Sequence, residues 1–127
     1  MKPIELRHPY IFYLGHLSVF ADIQISKVLQ EAYTEPSYFA EIFERGIDPN
    51  MQDPTICHSH SLVPDQWPSH EEIMTFREKF RARLMSLVSS GKPISKKLSR
   101  ALNMSFEHEA MHLEVSILFV TESKYPL

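Results

Sequence analysis

Hydrophobic positions fall into three long stretches of helical period, with a stretch of no sustained period between the first and the second. In the first, Pro9 to Tyr33, the residues Phe12, Tyr13, His16, Phe20, Ile23 and Lys27 share a stripe at steps of three and four, as a helix with one buried face requires. Pro9 suits the first turn, where its missing N–H leaves no bond unmade. Most of the stripe is aromatic or aliphatic, so His16 is expected to point into apolar surroundings. The segment Thr34 to Pro68 is rich in proline and holds a short helix at Ser37–Glu44, ended by Gly46. Its remainder reads as a long ordered loop, packed through Ile47, Ile56, Leu62 and Trp67. The next helix starts at a capping box, Ser69 with Glu72 three residues on. It carries Ile73, Phe76, Phe80, Leu84, Leu87 and Val88 on one side and stops at Ser89-Ser90-Gly91. The last helix runs from Ser95 to Glu122. No alternating run bounded by hairpin turns competes. The expected fold class is therefore all-α, a helical bundle of three long helices and a short one, in one domain over residues 1–127.

Composition narrows the classes. A chain of 127 residues supports one core. A formal charge of −3 and a pI near 6.1 give no basic field for nucleic acid or anionic lipid. The longest apolar stretch, "PYIFYLGHLSVFA", is broken by Gly15 and His16 and is too short to span a bilayer. The segment before it makes a poor signal peptide. Cys57 is the sole cysteine, which excludes an internal disulfide and favours a reducing setting. The expected location is cytoplasmic.

Candidate chemistry lies in "FEHEAMHLE". His108 and His112 stand four apart in the last helix, on a face shared with Leu98, Ala101, Ser105, Val115 and Phe119. Side chains four apart project together, with Cβ atoms about 5–6 Å apart, so both imidazoles can reach one ion. A facing helix can supply a third ligand. His16 is the candidate, following Gly15, a residue that weakens a helix interior and so suggests a close approach there. Three histidines leave positions open for water, substrate or dioxygen, and spacing alone does not choose between zinc and iron(II). The competing reading is a solvated histidine pair and a hydrogen-bonded core histidine. H-E-x-x-H is also the string of zinc proteases. Here, however, Val115 stands where their extended form needs glycine, Leu118 where it needs histidine, and only 15 residues follow His112.

The segments "ELRHPYIFYLGHLSVF", "YFAEIFERGIDPNMQDPTICHSHS", "VPDQWPSHEEIMTFREKFRARL" and "FEHEAMHLE" together resemble the DinB-like domain of fungal ergothioneine-biosynthesis enzymes, the hercynine oxygenases or sulfoxide synthases. The resemblance covers nearly the whole chain. It implies a DinB-like bundle in which His16, His108 and His112 hold iron(II) (Fe2+, with Zn2+ the alternative). It implies an oxidative coupling of hercynine to cysteine or γ-glutamylcysteine with O2. It gives Glu109 a structural place rather than a base's role. In that family a C-terminal domain like the formylglycine-generating enzyme supplies much of the substrate pocket, and a methyltransferase domain precedes the bundle. The family's first bundle helix lies upstream of "KPIELRHP". The chain is accordingly expected to be metal-competent, to need a partner domain for catalysis, and to expose an apolar face through which it forms homo-oligomers.

In the loop, Arg45, His58 and His60 are candidate substrate-binding residues, with an Arg45–Asp48 ion pair and ordinary loop histidines as the plainer readings. Nothing in the sequence activates Cys57 as a nucleophile. Arg77, Lys79, Arg81 and Arg83 read as a solvated face. Two further functions stay open: a DinB-type zinc-dependent thiol transferase, and a non-catalytic helical remnant.

Overall fold

The computed structural model describes residues 8–45, 47–53, 55, 57–59 and 61–124. Its elements run α1 (Tyr10–Leu29), α2 (Phe39–Phe43), β1 (Ile47–Pro49), β2 (Cys57–Ser59), α3 (His70–Ser89) and α4 (Lys96–Lys124). Three long helices and a short one make the all-α bundle expected from the periodicity.

Boundaries follow local chemistry. Pro9 sits at the N-cap of α1 in extended conformation, one residue outside the helix. The helix closes earlier than its pattern suggests, because Gln30 adopts the left-handed conformation (φ 57°) and turns its N–H back onto the Ser26 carbonyl. At α3 the capping box forms as expected. The Glu72 N–H donates to Ser69 Oγ at 3.2 Å, and the Ser69 N–H donates to Glu72 Oε2 at 2.7 Å. Gly91 takes a positive φ of 69° beyond α3, and Ser95 Oγ accepts from the Leu98 N–H at the start of α4.

The loop departs from the expectation of no strand. Asp48 pairs with His58 and Pro49 with Cys57, in an antiparallel ribbon of three residues a side. Such short strands lie below the length at which alternation is legible.

α1 is the central element. It packs against α2, α3 and α4, whereas α3 and α4 do not pack on each other among the described residues. The core combines Phe12, Val19, Ile23 and Ile25 of α1 with Phe39, Ile42 and Phe43 of α2, and with Ile73, Phe76 and Phe80 of α3. On its α3 side sits a polar tie that the pattern did not disclose. Asp22, 1% exposed, accepts from the Thr34 N–H (2.8 Å), from Thr34 Oγ1 (2.6 Å) and from Arg83 Nη1 (2.7 Å). Arg83 also donates to Ser26 Oγ (2.7 Å) and Glu31 Oε2 (2.9 Å). Arg83 is therefore no member of a solvated face. It neutralises a buried carboxylate, whose charge would otherwise be strongly destabilising.

The expected exposed apolar face is present and lies largely on α4. Met104, Phe106, Met111, Leu113, Val115, Ile117 and Leu118 are each between 38% and 68% exposed. Val115, seven residues beyond His108 and so on the same helical face, is nonetheless 38% exposed.

Candidate metal centre

α1 and α4 bring three imidazoles to one point. His16 comes from mid-α1 and is 5% exposed, while His108 and His112 come from successive turns of α4. His16 Nε2 lies 3.1 Å from His108 Nε2, and His112 Nε2 lies 3.1 Å from His108 Nε2. Ring nitrogens of all three lie within 4.8 Å of one another.

Packing fixes the rings. Phe12 stacks on His16 (centroids 5.1 Å, 17°), and Phe20 stacks on His108 (3.9 Å, 22°). Both phenylalanines lie four residues from His16 on α1, so the i±4 rule could have located them. Tyr13 sits 6.0 Å from His112. Below His16, Gly15 admits the ring of Phe43. A Cβ at position 15 would stand 2.5 Å from Phe43 Cε1, which bears out the close approach expected of this glycine. The Phe43 carbonyl oxygen then lies 2.6 Å from His16 Nδ1. A carbonyl only accepts, so Nδ1 carries the proton and Nε2 presents its lone pair to the cluster. This contact, which sequence reasoning missed, carries no side-chain signal because the acceptor is backbone.

The donor set fits a cation. His108 Nε2 has at most one proton to share between two nitrogen neighbours, so lone pairs converge without enough hydrogens. Burial pushes His16 down to about 4, against the hydrogen bond to Phe43 that raises it and with His112 and His8 lowering it further. Burial, with His16 and His112 nearby, brings His108 to about 4, and burial lowers His112. A proton is thus a poor occupant, and a metal ion, which needs neutral imidazoles, is the fitting one. Two nitrogens on one ion at about 2.1 Å lie about 3.0 Å apart at a right angle and about 3.4 Å apart at the tetrahedral angle. The two separations to His108, at 3.1 Å, fall in this range, while the three nitrogens together span up to 4.8 Å.

These shifts set a pH dependence for the metal-free chain. His16 has an ordinary value of 6.5 and a folded value of about 4. The unfolded chain therefore takes up its proton first on acidification. Stability is full above about pH 6.5, falls as pH drops toward 4, and levels off below. His16 alone contributes about 3 kcal/mol to that fall, and half-buried His108 adds less. Urea midpoints at neutral pH and near pH 4.5 measure it; equal midpoints would contradict the buried neutral imidazole.

A cleft of about 470 Å3 reaches His112, bordered by Tyr10, Tyr13, Leu14, Leu17, His70 and Ser116. Of the loop candidates, Arg45 is exposed just after α2, with its backbone N–H donating to Ser61 Oγ at 2.7 Å. His58 lies in β2, and His60 lies outside the described residues. Glu109 is exposed on α4, away from the buried face. Among the described residues no helix is long and apolar enough to cross a membrane.

No family model matches the chain, and no solved structure matches it. Two curated relatives do. The chain is 47% identical over 123 residues, 96% of its length, to Ergothioneine biosynthesis protein 1 of Neurospora crassa. It is 38% identical over 122 residues, 94% of its length, to the protein of that name from Schizosaccharomyces pombe. It spans 14% and 16% of those relatives' lengths. These matches bear out the family resemblance carried by the motifs.

Proposed function

Taking the chain as a homologue of one segment of the fungal ergothioneine-biosynthesis proteins, we propose that it is a DinB-like iron(II)-binding domain serving the oxidative coupling of hercynine to cysteine or γ-glutamylcysteine. The convergence of three imidazole nitrogens from two helices carries this reading. His16, His108 and His112 would hold the ion through one ring nitrogen each. When bound, iron(II) supplies redox chemistry toward dioxygen. His16 is held in one tautomer by the Phe43 carbonyl, and an imidazole locked in this way is a better-oriented and more basic ligand. Phe12, Phe20 and Phe43 exclude water from the α1 side of the cluster. The cleft at His112 gives a small molecule access from the other side. Three protein ligands, one fewer than a closed structural zinc site has, would leave positions open to exogenous ligands, as the proposed iron(II) chemistry requires.

Anaerobic titration with iron(II) and zinc(II), followed by thiol, hercynine and air, tests the proposal. One iron(II) per chain is expected, together with oxygen uptake that needs both organic substrates and a complementing domain of the relatives. Preferred zinc binding with thiol transfer and no oxygen uptake would replace this reading with the transferase one.

A further inference from the structure

Phe20 follows His16 by four residues on α1, so one side of that helix carries a candidate ligand and an aromatic ring together. The ring lies nearly flat on the His108 imidazole, with centroids 3.9 Å apart and planes 22° apart, and it meets His16 obliquely at 5.7 Å. Among the described residues, these two imidazoles are its aromatic neighbours. Phe20 is half-buried and belongs neither to the core nor to the hydrophobics packed against it. Phe12, which stacks on His16, is by contrast 1% exposed and part of the core. Core formation therefore accounts for Phe12 and leaves Phe20 without a reason, except at the histidines.

His108 needs an orienting partner. An imidazole that binds a metal is ordinarily held by a hydrogen bond from its other ring nitrogen. His16 has one in the Phe43 carbonyl. Among the described residues the polar contacts of the His108 ring are those of Nε2 with His16 and His112, and none supports its other nitrogen. We propose that Phe20 is the positioning residue for His108, its phenyl face doing for this ligand what a backbone carbonyl does for His16. Turning the imidazole about its Cβ–Cγ bond would drive a ring edge into the phenyl face, so Nε2 stays directed at the cluster. A ring bound to a cation is electron-poor, and an aromatic face attracts positive charge. The stack thus strengthens when the ion is present and adds to its affinity. This assignment rests on the metal reading of the three histidines.

Two measurements on the intact chain test it, with Phe20→Leu and Phe20→Tyr beside the wild type. In NMR spectra of the metal-free chain, the phenyl ring current should move the His108 ring protons upfield. That displacement should vanish in Phe20→Leu and persist in Phe20→Tyr. The second is a titration against a competing chelator, using whichever of iron(II) or zinc(II) the wild type holds more tightly. Phe20→Leu should bind about tenfold or more weakly, as loss of an orienting partner does, and Phe20→Tyr should bind as the wild type does. Undisplaced His108 protons in the wild type, or equal metal affinity in the wild type and Phe20→Leu, would overturn the assignment. So would a metal-free urea midpoint that falls in Phe20→Leu as far as in Phe12→Leu, which would make Phe20 a core residue. A wild type that takes up neither metal would overturn the three-histidine reading itself, and this assignment with it.

Discussion

Addition of iron(II) or zinc(II) should raise the stability of the wild-type chain, and His16→Ala should abolish that increment. Tight one-site binding contributes about 2.7 kcal/mol at a hundredfold excess over Kd. His16 is the one ligand from α1; without it His108 and His112 are a pair on a single helix, with nothing to close the site from the facing element. The same substitution leaves the Phe43 carbonyl unbonded in a buried place, which costs about 1–3 kcal/mol in the metal-free chain. The informative quantity is therefore the difference between melts with and without metal, taken for each variant separately. An increment that survives in His16→Ala would mean that the ion binds elsewhere.

Gly15→Ala should destabilise the chain although it replaces a glycine in the middle of a helix. At an unconstrained helical site the change gains about 0.5–1 kcal/mol. Here the new methyl would meet Phe43 Cε1, Cζ and Cδ1 at 2.5–2.8 Å. Phe43 is fully buried and cannot swing into solvent without emptying the core, so α2 must shift. Overpacking of this kind costs about 1–3 kcal/mol. The shift also withdraws the carbonyl that orients His16. Loss of such a supporting partner reduces metal affinity about 10–100-fold. Urea unfolding and a metal-competition titration read the two effects independently. A more stable variant with unchanged affinity would show that Phe43 does not occupy the space beneath Gly15.

Much of this was legible in the sequence where periodicity and residue type carry the information. The four-residue step placed His108 and His112 together, the stripe turned His16 inward, the capping box marked the start of α3, and Gly15 signalled a close approach. What stayed hidden has physical reasons. The Phe43 carbonyl is backbone, and no residue type announces which carbonyl a histidine will meet. Arg83 sits in a run of cations that looks solvated, and its buried partner Asp22 is sixty-one positions away in sequence. Val115 shares the His108 face by spacing yet is 38% exposed, and spacing alone does not say how much of that face is covered. The ribbon of β1 and β2 is fixed by pairing between short segments, which local pattern does not encode.

X-ray absorption spectroscopy of the metal-loaded chain, beside the same measurement on His108→Ala, tests the central claim most directly. The three-histidine centre predicts about three imidazole nitrogens at roughly 2.0–2.2 Å in the wild type, and a loss of imidazole scattering in the variant. A wild-type spectrum without an imidazole shell, or one unchanged by removing His108, would contradict it.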